Sequence, residues 1–145
     1  MTGYNRTAHT VYDCKYHIIW GTKYRKKILK DDISYRLRDI IRQICSTEKV
    51  DILKGAIGSD HVHLMLSIPP YLAVSRLVQD LKGESSRKLQ MEFKQLGKVF
   101  WGQHLWAPGY FAATTGSVTD TVVKKYIDEQ GKDQEAQDRT FLVLS

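Results

Sequence analysis

Residues 61–68 read HVHLMLSI, a strict alternation that suits an extended strand and no helical period. Successive strand side chains take opposite faces, so Val62, Leu64, Leu66 and Ile68 form one apolar row while His61, His63, Met65 and Ser67 form the other. Pro69 and Pro70 stop the strand, because proline has no N–H to give a ladder. A strand with one wholly apolar face needs a second layer to cover that face.

The flanking sequence supplies the layer. Residues 11–20, VYDCKYHIIW, are rich in aromatic and β-branched side chains and predict a first strand, which runs on into the basic stretch GTKYRKKILK. Ile33, Leu37, Ile40, Ile41 and Ile44 fall at helical spacing and predict a helix to about Lys49, with Asp31 or Asp32 as its cap. Residues 50–59 predict a second strand, interrupted or bulged at Gly55, and residues 60–68 the third. Val74, Leu77, Val78, Leu81 and Leu89 mark a second helix from about Ala73. Residues 97–113 predict a turn-rich aromatic β region, and residues 118–130 a third helix, capped by Ser117 or Thr119 and closed by Gly131.

The resulting order, β-α-β-β-α-β-α, predicts an α+β fold: a ferredoxin-like or RRM-like sandwich with an antiparallel sheet, helices packed on one face, and a C-terminal helix. The 145 residues suit one domain, 1–145, with residues 131–145 as a tail whose docking is left open. A net charge of +6 favours a polyanionic partner without requiring one. Two cysteines without a CxxC spacing argue against a disulfide framework. No signal-peptide h-region precedes the first strand, and no apolar run approaches the roughly 20 residues that cross a bilayer. The expectation is a soluble cytoplasmic protein with no membrane partner.

His61 and His63 stand roughly 6.6 Å apart along the backbone, close enough to converge on one ion. Asp60 can orient a ring or add a ligand. Alone, HxH reads more simply as a half-exposed strand face. In the third helix Tyr126 and Gln130 are four residues apart and share a face, which sets a phenol one turn from a neutral carbonyl oxygen. Lys124 and Lys125 beside them suit phosphate and can lower the tyrosine's proton affinity. Alone, Tyr126 fits an apolar stripe with Val122, Val123 and Ile127. Taken together, two histidines, an amide oxygen and a tyrosine suit phosphodiester cleavage, with the phenol attacking phosphorus and a divalent metal steadying the leaving hydroxyl.

DHVHLMLSIPP, LVQDLKGESSRKL, WGQHLWAPGYFAATTGSVT and VVKKYIDEQ, with the early YHIIWGTKYRKKIL, resemble in collinear order the small HUH-type, single-tyrosine transposases of simple insertion sequences (the insertion sequence 200/605 family and its REP-associated relatives). The resemblance covers residues 9–130. It implies cutting and rejoining of single-stranded DNA at hairpin-bearing element ends, through a 5′-phosphotyrosine and with Mg²⁺ or Mn²⁺. By position it makes His61 and His63 the HUH histidines, Tyr126 the nucleophile and Gln130 a further ligand. It also implies a homodimer in which the tyrosine helix of one subunit completes the metal site of the other.

Candidate DNA contacts form two clusters: Lys23, Arg25, Lys26 and Lys27 with Tyr24 interleaved as a stacking platform, and Lys82, Arg87 and Lys88 around the second helix. Trp101 and Trp106 suit either core or bases, and His104 is a further ligand candidate. Two rival functions share this fold. One is a domesticated nickase of chromosomal repeat hairpins. The other is a non-catalytic RRM-like binding module, although the aromatic strand motif of RRM proteins is missing.

Overall fold

The computed structural model describes residues 5–6, 11–100, 104–114 and 141–143. The third helix expected over residues 118–130, with Lys124, Lys125, Tyr126 and Gln130, lies outside them, as does Trp101.

Within these residues the chain runs β1 (Asn5–Arg6), β2 (Val11–Tyr12), β3 (Lys15–Gly21), a 3₁₀ turn (Lys23–Arg25), α1 (Asp31–Thr47), β4 (Asp51–Ile57), β5 (His61–Ser67), α2 (Val74–Glu92), α3 (Lys94–Phe100), β6 (Phe111–Thr114) and β7 (Phe141–Val143). Strands β3 to β7 form one sheet in the order β6-β3-β5-β4-β7, antiparallel except for the parallel pair β4–β7. The first four of these strands in chain order, β3, β4, β5 and β6, lie in the ferredoxin-like arrangement that the sequence predicts.

The alternation in β5 decides where the core sits. Val62, Leu64 and Leu66 are buried with Ile18 and Trp20 of β3 against Leu37, Ile40, Ile41 and Ile44 of α1 and Leu77, Val78, Leu81 and Leu89 of α2. Burying each such aliphatic side chain contributes about 1.5–3 kcal/mol, so the helices cover one face of the sheet only. The opposite face carries Ile19, His61, His63 and Met65, all half-buried.

Several expectations are corrected. The first strand breaks after Tyr12: residues 11–12 pair with residues 5–6 in a separate ladder, and the main strand starts at Lys15. Asp31 and Asp32 sit inside the first turn of α1 and make no side-chain cap; their charges favour the helix N-terminus instead. The helix closes at its other end through Lys49 in the left-handed region, with Val50 N–H donating to Cys45 C=O at 2.8 Å. The β4 bulge falls between Ile52 and Lys54, not at Gly55. Residues 97–100, expected to open the turn-rich β region, instead end the helix Lys94–Phe100, because Leu96 and Phe100 recur at helical spacing and are both buried. The docking of the tail, which the sequence leaves open, is resolved at residues 141–143, an edge strand with all three side chains buried.

Candidate active site

The two histidines stand side by side on the open face of β5, with ring centroids 4.7 Å apart and planes inclined by 73°. Their cleft, about 440 Å³, is also lined by Ile19, Gly21, Arg25 and the loop Ala107–Tyr110. The tight β4–β5 turn, closed by Gly58 N–H to His61 C=O at 2.9 Å, sets Asp60 beside the first histidine.

Asp60 works as a bracket. Its Oδ1 lies 2.6 Å from His61 Nδ1, and its Oδ2 accepts from Arg25 Nε at 3.1 Å. Burial alone would raise the Asp60 carboxyl, but the hydrogen bonds from His61 and Arg25 outweigh it and lower the pKa. An ionised carboxylate only accepts, so His61 donates its Nδ1–H to Asp60, and Nε2 is the ring nitrogen turned away from the carboxylate. Burial, with His61 and His17 nearby, pushes the His63 imidazole down to about 4, so its ring is neutral at physiological pH. Two adjacent imidazoles, one with a carboxylate behind it, are a donor set that fits a divalent metal ion. Among the described residues no group of three or more histidine, cysteine and carboxylate side chains is placed to hold a metal ion.

The basic residues divide. Tyr24, Arg25, Lys26 and Lys27 are exposed beside the cleft, with Lys23 Nζ 5.5 Å from the Tyr24 ring centroid. Tyr24 and Arg25 both adopt left-handed backbone, at φ 60° and 53°. The turn is held by Thr22, which donates its hydroxyl to Lys26 C=O at 2.8 Å and its N–H to Asp60 C=O at 2.9 Å. Lys82 points elsewhere: its ammonium donates to Ala107 C=O and Gly109 C=O, each at 2.8 Å, and pins the loop that walls the cleft. Arg87 is exposed and Lys88 half-buried on α2.

Trp106 is core: it packs edge-on against Trp20 at 5.8 Å and donates its Nε1–H to Ser85 Oγ at 2.9 Å. His104 is exposed and lines a second groove, of about 510 Å³, across the Ala107–Gly109 loop from the histidine cleft. Sequence reasoning missed His17, fully buried in β3 opposite Met65 and on the same sheet face as His63. The alternation of KYHIIW carries that signal, since His17 shares a face with Ile19, the cross-strand partner of His63. It also missed the Arg25–Asp60 pair, which no local pattern reveals across 35 residues.

Residues 10–130 match the family model described as "Transposase IS200 like". The ISDra2 transposase TnpA of Deinococcus radiodurans is 37% identical over 120 residues, 83% of this chain and 86% of that protein. The transposase for insertion sequence element IS200 of Salmonella typhimurium is 35% identical over 123 residues, 85% of this chain and 80% of that protein. A crystal structure described as that of a transposase from Deinococcus radiodurans R1 has a TM-score of 0.73 at 33% identity, covering 87% of this chain and 97% of its own. A REP-associated tyrosine transposase bound to a REP hairpin has a TM-score of 0.60 at 14% identity, over 94% of this chain and 77% of its own, a likeness of fold. Among the described residues no helix is long and apolar enough to cross a membrane. Fold and sequence agree over the same stretch of chain: it belongs to the IS200-like transposases, a family of DNA-processing enzymes.

Proposed function

We propose that this transposase cleaves and rejoins single-stranded DNA at insertion-sequence ends through a covalent tyrosine intermediate. Tyr126 is the nucleophile, and His61, His63 and Gln130 hold Mg²⁺ or Mn²⁺. The observation that carries the proposal is the pair of adjacent imidazoles facing a cleft, with His61 oriented by Asp60.

In the reaction the Tyr126 hydroxyl loses its proton and attacks phosphorus; the P–O3′ bond breaks, and the 3′ oxygen leaves as a hydroxyl. The products are a 5′-phosphotyrosine and a free 3′ end. Attack by another 3′-hydroxyl reverses the step and releases the phenol, so rejoining needs no ATP. A bound ion supplies positive charge at the phosphate and the leaving oxygen. His61 and His63 would hold the ion through ring nitrogens, and Lys124 and Lys125 bind phosphate beside the tyrosine. The cluster of half-buried Lys23 with exposed Tyr24, Arg25, Lys26 and Lys27 tracks the strand entering the cleft, with Arg87 and Lys88 as further phosphate contacts.

The REP-hairpin complex of the fold neighbour supports hairpins as the recognised ends. The family resemblance supports a homodimer whose tyrosine helix acts in trans. A labelled single-stranded element end incubated with protein and Mn²⁺ or Mg²⁺ tests the chemistry. Wild type forms a covalent adduct that Tyr126→Phe and His61→Ala/His63→Ala lack. An adduct that survives Tyr126→Phe removes the tyrosine assignment.

A further inference from the structure

Arg25 stands at the junction of the basic cluster and the metal-ligand histidines. Only its Nε is engaged among the described residues, on Asp60 Oδ2 at 3.1 Å, while its side chain remains 69% exposed and lines the histidine cleft. A guanidinium carries five donors in a planar fork, so the edge away from Asp60 keeps its terminal N–H groups for an anion. The backbone is bent to deliver this geometry. Two consecutive non-glycine residues, Tyr24 and Arg25, sit in the left-handed region at φ 60° and 53°, a conformation that costs about 1–2 kcal/mol per residue. Gly21 lies beneath the Arg25 side chain, with its absent Cβ position 3.5 Å from Arg25 Cδ and 3.3 Å from Asp60 C=O. Strand end, strained turn and carboxylate thus converge on one guanidinium.

We propose that Arg25 is a two-edged positioning residue: one edge holds Asp60, and through it the His61 ring, while the other grips a phosphate oxygen of the single strand, so that strand binding and metal binding strengthen each other. The inference rests on the metal and phosphodiester roles proposed above. A phosphate that fixes the outer edge of the guanidinium also fixes the inner edge, and Asp60 then holds His61 Nε2 on its ligand position. Linkage makes the effect reciprocal: the factor by which the strand raises metal affinity equals the factor by which metal raises strand affinity. Lysine, a single compact ammonium, cannot hold both partners at once.

The test measures Mn²⁺ affinity of the full chain, in a Tyr126→Phe background that prevents cleavage, with and without a single-stranded oligodeoxynucleotide. Without the strand, Asp60→Asn weakens Mn²⁺ binding by about tenfold to a hundredfold. It also shifts the His61 ring away from the Nδ1–H form in nitrogen-detected NMR of the metal-free protein. The gain in Mn²⁺ affinity on adding the strand falls by about fivefold or more in Arg25→Ala, Arg25→Lys and Asp60→Asn. Arg25→Ala combined with Asp60→Asn loses no more of that gain than either alone. If the gain is unchanged in both Arg25 variants while His61→Ala/His63→Ala abolishes Mn²⁺ binding, the metal reading stands and this inference is overturned. Mn²⁺ binding that survives the double histidine substitution overturns the metal reading and this inference with it.

Discussion

Gly58 lies against the His61 imidazole: a Cβ at residue 58 would stand 2.6 Å from the ring's Cε1 and 2.9 Å from its Nε2. No real side chain tolerates that approach, so the glycine is the seat of the ring. Gly58→Ala must push His61 off its bracket on Asp60. The expected result is Mn²⁺ affinity lower by about tenfold, the scale of a lost orienting contact. The fold should lose only the roughly 1–3 kcal/mol of a crowded methyl. Metal titration and urea denaturation of the same samples separate the two effects, and unchanged Mn²⁺ affinity would show that the ring has room to spare.

A second glycine does for the sheet edge what Gly58 does for the histidine. A Cβ at Gly55 would stand 2.9–3.1 Å from the Phe141 ring, which lies fully buried across the parallel β4–β7 pair. Phe141→Ala should destabilise the protein by about 3–5 kcal/mol as a cavity opens. Gly55→Ala should cost about 1–3 kcal/mol by displacing the ring. Equilibrium denaturation reads both, and a neutral Phe141→Ala would mean that β7 adds nothing to the core.

These two glycines mark where the sequence stops being legible. The alternation of HVHLMLSI and the helical spacing of Ile33, Leu37, Ile40, Ile41 and Ile44 depend on periodicity within one element, and both appear in the structure as read. Gly55 looks like a bulge in isolation because its reason lies in Phe141, 86 positions away by sequence number. The short run FLVLS carries no period long enough to identify a strand that completes a sheet in parallel. At the site, the shared face of His61 and His63 follows from period two, and so does that of His17. The Asp60 contact follows from adjacency, but Arg25 reaches it only because Tyr24 and Arg25 accept a strained backbone that no propensity favours. Lys82 shows the same limit in charge: composition counts it with the basic surface, whereas burial and two carbonyls make it a clamp on the 107–109 loop.

Ser85 ties the second helix to that loop. Its hydroxyl donates to Leu81 C=O at 2.5 Å and accepts from the buried Trp106 indole at 2.9 Å. Ser85→Ala leaves the indole N–H without its acceptor, which should cost about 1–3 kcal/mol. Ser85→Thr keeps the hydroxyl and should recover part of the loss. Thermal unfolding of the pair checks this; equal stability of the alanine and wild-type proteins would rule out the bond as a support of the loop.

Cys45 gives a pH dependence of definite sign. Burial, with Glu48 nearby, pushes its thiol from 9.0 up to about 12. An acid whose pKa is raised by folding is protonated in the native state and ionises first in the unfolded one. Its contribution is therefore whole below pH 9 and is lost as pH climbs towards about 12. Cys45→Val removes this titration, so between pH 8 and pH 10.5 wild type should lose stability faster than the variant. Parallel profiles from urea denaturation at each pH would contradict the assignment. Below pH 9 the native thiol should also resist iodoacetamide.

In the proposed homodimer, Tyr126 on its expected helix serves either its own subunit or the partner, and mixing two dead proteins distinguishes the cases. One subunit carries His61→Ala/His63→Ala and the other Tyr126→Phe. If the helix acts in trans, a heterodimer brings both lesions together at one site and leaves the other with intact histidines and an intact tyrosine. Each heterodimer then regains about half the adduct of a wild-type dimer, since one of its two sites is complete. If the helix acts in cis, every site keeps one lesion and mixing restores nothing. Each parent alone sets the background, and adduct formation on a labelled single-stranded end is the readout. Co-expression with two different tags isolates the heterodimer, so a failure to exchange subunits cannot imitate the cis result.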